Sequence, residues 1–234
     1  MSEDHQPKYD LTPILNDWPF ESGTINVRVI EGVDLLPKLQ VRLDLGIIQM
    51  NIDGRPDGQR PNGFSSLLEY IEVRIDEAQE FGPGPMDEDS DAARGMGDDD
   101  AIRSGETDPP DLSPDQPYAH EEDDDEDQSP SSLVSLDTET CRALREEAAQ
   151  YYHRYVALLV LEDFEGVIRD TSRNLRVADV CRDYAAEEHD REMLDQVRPY
   201  ILIMRTRAVA GQALKDEVPK AAVAVVDRGL EALK

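Results

Sequence analysis

Three arginines at helical spacing are the first residues in this sequence that could do chemistry. Arg169, Arg173 and Arg176 recur at i, i+4 and i+7, so a helix over this segment would present them on one stripe. A guanidinium binds carboxylates through two parallel hydrogen bonds, which suits such a stripe to an acidic partner. The chain's own acidic segment 121–127 is one candidate partner. The alternative is a solvated face whose arginines pair with acids on the same helix.

A second candidate is the segment 52–63, whose Gly, Pro, Asp and Asn residues predict a loop. Arg55 stands where a calcium loop would need another oxygen ligand, and the closing Glu is missing, so no metal is predicted. Arg55 and Arg60 could instead hold an anion at the start of the next helix. A purely structural turn is the remaining interpretation. The residues that are spaced loosely like calcium ligands are Asn51, Asp53 and Asp57.

Two cysteines and a histidine form the third group. A hairpin that reverses at 162–163 would bring Cys141 and Cys181 within about one helical turn of each other. A metal site needs three or four ligands, and only His189 can be added to the two thiols. We therefore expect free, buried cysteines that pack as small apolar side chains.

No familiar catalytic signature is present. The sequence has no nucleophile elbow, phosphate-binding loop, dinucleotide fingerprint or paired-His motif, and His153 lies among tyrosines where it is expected to pack. The sequence therefore predicts no catalytic residue, no cofactor and no metal.

The charge distribution divides the chain and limits its partners. The 234 residues carry a net charge of −28, and residues 82–136 alone contain 18 Asp and Glu against two Arg. Such a segment cannot bury a core and is predicted to be a disordered linker. The charge disfavours direct nucleic-acid binding and anionic membranes.

The sequence also predicts where in the cell the protein is found. Its first residues show no signal peptide, and its longest apolar run has six residues, 156–161, against the ~20 of a membrane helix. A soluble, cytoplasmic protein is predicted.

The elements that must position these residues begin with an N-terminal arm, 1–22, and a small unit, 23–81. Strands are predicted at 24–30, 38–46 and 48–52, with a bulge or turn at Gly46 where the alternation changes phase. A helix from about Phe64 to Phe81 would be capped by Asn62 or Ser65. The expected docking side chains of the arm are Tyr9, Leu11, Ile14, Leu15, Trp18 and Phe20.

Residues 137–234 change to a period of 3.6. Two long antiparallel helices are predicted, beginning at an Asp137 or Thr138 cap and meeting at Glu162-Asp163. A second pair follows, in which Pro199 begins or kinks the first helix and Pro219 begins the last. The last helix is expected to pack through Ala222, Val226, Leu230 and Leu233.

The fold class predicted is therefore α+β. It combines a small antiparallel β meander carrying one helix, an acidic disordered linker, and an antiparallel four-helix domain of two hairpins.

The turn between the first two long helices resembles two known families. Leu161-Glu162-Asp163-Phe164-Glu165 followed by Arg169-Asp170 resembles the UVR motif, a helical hairpin of the nucleotide-excision-repair proteins UvrB and UvrC, with Asp163 as an insertion. Glu162-Asp163-Phe164 with Val167-Ile168 also resembles the turn of tetratricopeptide repeats. The whole chain resembles bacterial proteins that join a small β piece to such a helical half, which implies an interaction module.

The function expected is non-catalytic protein–protein interaction, as an adaptor or regulatory module, with Arg169, Arg173, Arg176, Arg55 and Arg60 as partner-binding residues. One alternative is a ligand-binding or enzymatic site at the 52–63 loop. A second is a nucleotide-excision-repair accessory, implied by the UVR resemblance. The packing of the β piece against the helices distinguishes an adaptor from a protein with a site at the loop. A shared, concave, polar interface favours the site, and two separate bodies favour the adaptor.

Overall fold

The structure, a computed structural model, describes residues 10–81 and 134–233. Nearly all of the predicted acidic linker and Tyr9 lie outside them. The fold is α+β, as predicted, with a three-stranded antiparallel sheet and several helices. The strands are β1 (Asn26–Glu31), β2 (Pro37–Arg42) and β3 (Ile47–Asn51). The helices are α1 (Thr12–Asp17), α2 (Leu67–Phe81), α3 (Thr138–Val160), α4 (Phe164–Tyr184), α5 (Glu188–Met193), α6 (Arg198–Lys215) and α7 (Pro219–Glu231).

The N-terminal arm is docked less deeply than the sequence predicts. Leu11, Ile14 and Phe20 are exposed, which corrects their expected role as docking side chains. Trp18 is half-buried, and the guanidinium of Arg28 lies 4.1 Å from its ring centroid. The arm therefore covers a polar face of the sheet, where apolar side chains have little to bury against.

The sheet has the order β1-β2-β3 and two different faces. Leu39 and Met50 are cross-strand neighbours on the face that packs against the helices. The opposite face carries a polar ladder, in which Arg28 donates to Gln40 at 2.8 Å. The phase change at Gly46 is a tight turn, as predicted, since Leu43 N–H donates to the Gly46 carbonyl at 2.8 Å.

The sheet and the helices share a core. Leu39 and Met50 belong to the same buried cluster as Tyr155, Val167 and Met204 of the helical half. The predicted boundaries between separate units stay a prediction. Within residues 10–81 and 134–233, no helix is long and apolar enough to cross a membrane.

Helix α2 begins three residues later than predicted. Phe64 is extended, and the hydroxyl of Ser66 accepts from Glu69 N–H at 3.1 Å, so neither Asn62 nor Ser65 is the capping residue. Leu67 and Leu68 donate their N–H groups to a carboxylate of α3, described below. Ser66 is thus the local cap, and the carboxylate that accepts from Leu67 and Leu68 N–H belongs to a distant helix and leaves no local sequence signal.

The α3–α4 hairpin forms as predicted. Asp137 caps α3 by accepting from Thr140 N–H at 2.7 Å, and Asp163 caps α4 by accepting from Gly166 N–H at 3.1 Å. Glu162 adopts a left-handed conformation, with φ of 56°, at the turn. The 3.6-residue period of α3 places seven residues on one stripe, and each of them is buried or half-buried: Cys141, Leu144, Ala148, Tyr151, Tyr155, Leu158 and Leu159.

The second helical pair departs from the prediction in two ways. The short helix α5 was not predicted, because its only buried residue is Asp190 and it has no apolar stripe. In α7, Ala222 is buried, but Val226, Leu230 and Leu233 are 42%, 57% and 38% exposed. Their expected place in the core is therefore wrong. Pro199 and Pro219 stand in the first turns of α6 and α7.

Removal of the α3 cap tests the start of the helical half. We expect Asp137→Ala to lower the free energy of unfolding by about 1 kcal/mol in urea denaturation, since Thr140 N–H loses its acceptor. That hydrogen bond lowers the pKa of Asp137, so the stabilisation should be present above the usual aspartate pKa and be lost as pH falls through the lowered value. The control Asp137→Asn keeps an accepting oxygen and should cost less; equal losses would contradict the cap.

Candidate functional site

A buried ion pair joins the two long helices. Arg154 of α3 donates through Nε to Asp170 Oδ2 at 2.7 Å and through Nη2 to Oδ1 at 2.8 Å. Both side chains are 1% exposed. Because neither charge has access to water, each depends on the other and on the remaining acceptors around them.

The same arginine holds the end of the sheet. Arg154 Nη1 donates to the carbonyls of Asn51 at 3.0 Å and Gly54 at 2.7 Å. Gly54 has a φ of 66°, which turns the backbone toward the helices at low cost. Arg169 adds a contact from α4, donating through Nη2 to the carbonyl of Ile52 at 2.8 Å.

A second buried carboxylate, Glu147, belongs to α3 and lies on the face that carries Arg154. Glu147 is fully buried, and it accepts from Leu67 N–H at 2.9 Å and from Leu68 N–H at 3.3 Å. Arg55 Nη1 lies 3.3 Å from it, and Arg173 pairs with its other oxygen. Glu147 therefore caps α2 and ties the 52–63 loop and α4 to α3.

Tyr151 lies between the two carboxylates. The guanidinium of Arg173 stacks 3.8 Å from its ring centroid, and that of Arg154 lies 4.7 Å away. Burial raises the pKa of Tyr151, so the phenol stays neutral. Burial and the nearby Arg55 lower the pKa of Arg173 to about 9, which leaves it protonated at neutral pH. We call these residues and their partners the charge cluster: Glu147, Tyr151, Arg154, Asp170, Arg173 and Arg55.

The three arginines of the predicted stripe lie in different environments in the structure. Arg169 is about half exposed and contacts Asp170 and Asp53, whereas Arg173 is mostly buried against Glu147. Arg176 is exposed and pairs with Glu72 of α2 at 2.6 Å. The three do not form one open surface, and each already has an acidic partner. Partner binding by these arginines stays a prediction.

The 52–63 loop borders a small pocket. The loop pocket has a volume of about 240 Å³ and is lined in part by Asn51, Arg55, Gln59, Arg60 and Ser65. Asp53 also lines the pocket, whereas Asp57 lies 3.1 Å from Arg55 Nε and accepts from Gln150 Nε2 at 3.0 Å. Of the predicted loop residues, the structure therefore brings Asn51, Asp53, Arg55 and Arg60 together.

The cysteines lie in the core at the far end of the hairpin. Cys141 and Cys181 are both fully buried, in a cluster with Leu144 and Val177. The neighbouring thiol of Cys141 and burial both raise the pKa of Cys181, which disfavours a reactive thiolate. His189 is exposed. The described residues contain no group of three or more His, Cys, Asp or Glu arranged to hold a metal.

A second concave surface lies between the last two helices. The α6–α7 groove has a volume of about 190 Å³ and is lined mainly by Ile203, Thr206, Arg207, Val226, Leu230 and Leu233. A Cβ on Gly229 would lie 2.6 Å from the Thr206 side chain, so this glycine lets the two helices approach closely. Within residues 10–81 and 134–233, helix α7 packs chiefly on α6, so the apolar side chains of the groove stay partly exposed.

Comparisons with protein-family models, with curated proteins and with solved structures find no match for this chain. The resemblance to UVR and tetratricopeptide hairpins stays a prediction. In the structure, its residues Glu162 and Asp163 form the α3–α4 turn, and Phe164 begins α4.

Replacement of Arg154 tests the charge cluster. Arg154→Met removes the strongest partner of the buried Asp170 and frees two loop carbonyls, so we expect the free energy of unfolding to fall by about 3–5 kcal/mol in urea denaturation. The matched control is Arg142→Met on the same helix, whose ion pairs to Glu139 and Glu146 are exposed and which should change stability little. Similar losses in the two variants would contradict a structural role for the cluster.

Proposed function

We propose that this protein is a non-catalytic interaction protein, an adaptor or regulatory module, that docks partners on its helical half. The observation that carries the proposal is the α6–α7 groove. Ile203, Val226, Leu230 and Leu233 are each 38–57% exposed and line one concave apolar surface. Contiguous exposed apolar side chains on a helical face typically mark an interaction site.

The packing order of the helices supports the same function. Helices α3, α4, α6 and α7 pack consecutively, each against the next, as in stacked helical-hairpin proteins. The earlier helices are covered: α3 contacts the sheet and α2, and α4 contacts both α3 and α6. Within the described residues, helix α7 packs chiefly on α6 and keeps an exposed apolar side, which makes its groove the favoured docking position.

The charge cluster supports a structural role for the buried titratable groups. Arg154, Asp170 and Glu147 are at most 1% exposed, and the contacts of each are with side chains or backbone of the chain itself. A catalytic group must reach a substrate, whereas these groups hold the sheet, the loop and α2 on the helices.

Affinity capture with matched variants tests the proposal. The full chain, used as bait in a native lysate of its source organism with quantitative mass spectrometry, should enrich at least one protein. The Ile203→Gln/Leu230→Gln variant should lose that enrichment by about tenfold or more, since each lost apolar anchor weakens docking by about 1–2 kcal/mol.

The control for capture is Leu45→Gln, which alters an 89% exposed leucine in the β2–β3 turn. It should retain every partner. If no protein is enriched above background, or if groove and control variants capture the same set, the proposed function fails.

A second candidate function is anion binding in the loop pocket, and one observation favours it. The β piece and the helices share a polar interface, and the adjoining pocket presents Arg55 and Arg60. Arg60 is exposed and has no ion pair within the described ranges, so its charge is available to a ligand. This arrangement suits a small phosphate or carboxylate.

Thermal unfolding with inorganic phosphate tests the loop pocket. At phosphate about tenfold above its Kd, the folded state gains about 1.4 kcal/mol, so Tm should rise at constant ionic strength. Arg60→Ala should abolish the rise. The control Arg74→Ala removes the same charge from the exposed face of α2 and should keep it. A rise that is equal in all three proteins indicates a general salt effect and excludes the site.

A further inference from the structure

We infer that the α6–α7 groove takes an amphipathic helix with acidic flanks from a partner protein. The inference rests on the proposed function and names the class of partner. It follows from two properties of the groove, its apolar spacing and its charge.

The spacing of the apolar residues fits a helical ligand. Val226, Leu230 and Leu233 recur at i, i+4 and i+7 along α7, which spans about 10.5 Å, or two helical turns. Ile203 of α6 closes the opposite wall. A helix laid in such a groove buries side chains at i, i+3 or i+4, and i+7, so two turns of a ligand match the apolar length available.

The charge of the hairpin is opposite to that of the chain. Residues 198–234 contain seven Lys and Arg against four Asp and Glu, in a chain whose net charge is −28. Arg207 lies on the groove itself. Five cations of α6, α7 and their connection make no salt bridge within residues 10–81 and 134–233: Arg205, Arg207, Lys215, Lys220 and Arg228.

These cations contrast with the arginines of α3 and α4. All seven of those arginines pair with an Asp or Glu: Arg142, Arg145, Arg154, Arg169, Arg173, Arg176 and Arg182. Arg207 lines the groove and makes no salt bridge within the described residues, so its charge complements acidic residues that flank an apolar stripe.

A second copy of the chain fits the groove less well. Two copies meeting through α6 and α7 would bring the same positive residues together, and like charges across an interface are unfavourable. A nucleic-acid phosphate could pair with Arg207 but would leave the apolar side chains of the groove unburied. The acidic amphipathic helix satisfies both properties.

Designed peptides test the inference on the full chain by fluorescence anisotropy. The acidic probe is a helical peptide of about 18 residues with Leu at i, i+4 and i+7 and Glu on both flanks. A second peptide replaces every Glu by Lys, and a third scrambles the acidic sequence so that no apolar face remains. The acidic probe should bind at least about tenfold more tightly than either, and its affinity should fall as salt rises.

Variants of the chain separate the apolar contribution to peptide binding from the electrostatic contribution. Leu230→Gln should weaken the acidic probe by about tenfold, whereas Leu45→Gln should leave its affinity unchanged. Arg207→Glu should weaken the acidic probe and strengthen the Lys peptide. Such an exchange of preference would not result from a general loss of structure, which circular dichroism checks independently.

Three results would overturn the inference: equal binding of the acidic and Lys peptides, indifference of the acidic probe to Leu230→Gln, or a concentration-dependent dimer that Leu230→Gln dissociates in sedimentation. The first two leave the proposed function intact when the lysate partner still depends on the groove. Loss of that partner dependence defeats the proposed function whatever the peptides do.

Discussion

The burial of Arg154 is the constraint on which the rest of this structure depends. A guanidinium taken out of water costs several kcal/mol unless its donors are satisfied. Here two donors contact both oxygens of Asp170, and a third group reaches the carbonyls of Asn51 and Gly54. These acceptors lie on α4 and at the end of β3. The sheet and both helices must therefore keep one relative position, because displacement of any of them leaves a buried charge unpaired.

Local patterns predict much of the helical half, because the information needed lies within one element. A period of 3.6, an Asp at position 137 and a polar pair at 162–163 predict α3, its cap and its turn. The charge cluster was not predicted, although its spacing is visible. Glu147 and Arg154 fall on the same stripe as Tyr151, so charged residues on an apolar face were the available signal. Their partners lie as far as 103 positions away, and no local pattern identifies them.

The start of α2 shows why the remaining part of the fold escapes prediction. Turn-forming residues indicate that the chain changes direction between Asp53 and Gly63, but several of them could precede a helix. Ser66 accepts from Glu69 N–H as a local cap, and Glu147, 80 positions from Leu67, accepts from Leu67 N–H. A helix start that depends in part on a tertiary contact follows from the docked position of α3. The predicted loop pocket depends on the same contact, since Arg55 reaches Glu147 only after docking.

An apolar pattern in the sequence predicts which side chains favour burial, but it does not identify the elements that bury them. In α3 and α4 the pattern and the burial agree, since the sheet, α2 and α6 supply the cover. In α7 the same pattern leaves Leu230 more than half exposed. Burial of this apolar surface by a partner would contribute about 25 cal/mol of favourable free energy for each Å² removed from water. The described residues thus bury charges where the chain must hold its own backbone and expose apolar side chains where α7 contacts chiefly α6. This distribution is what the proposed docking of a partner on α7 requires.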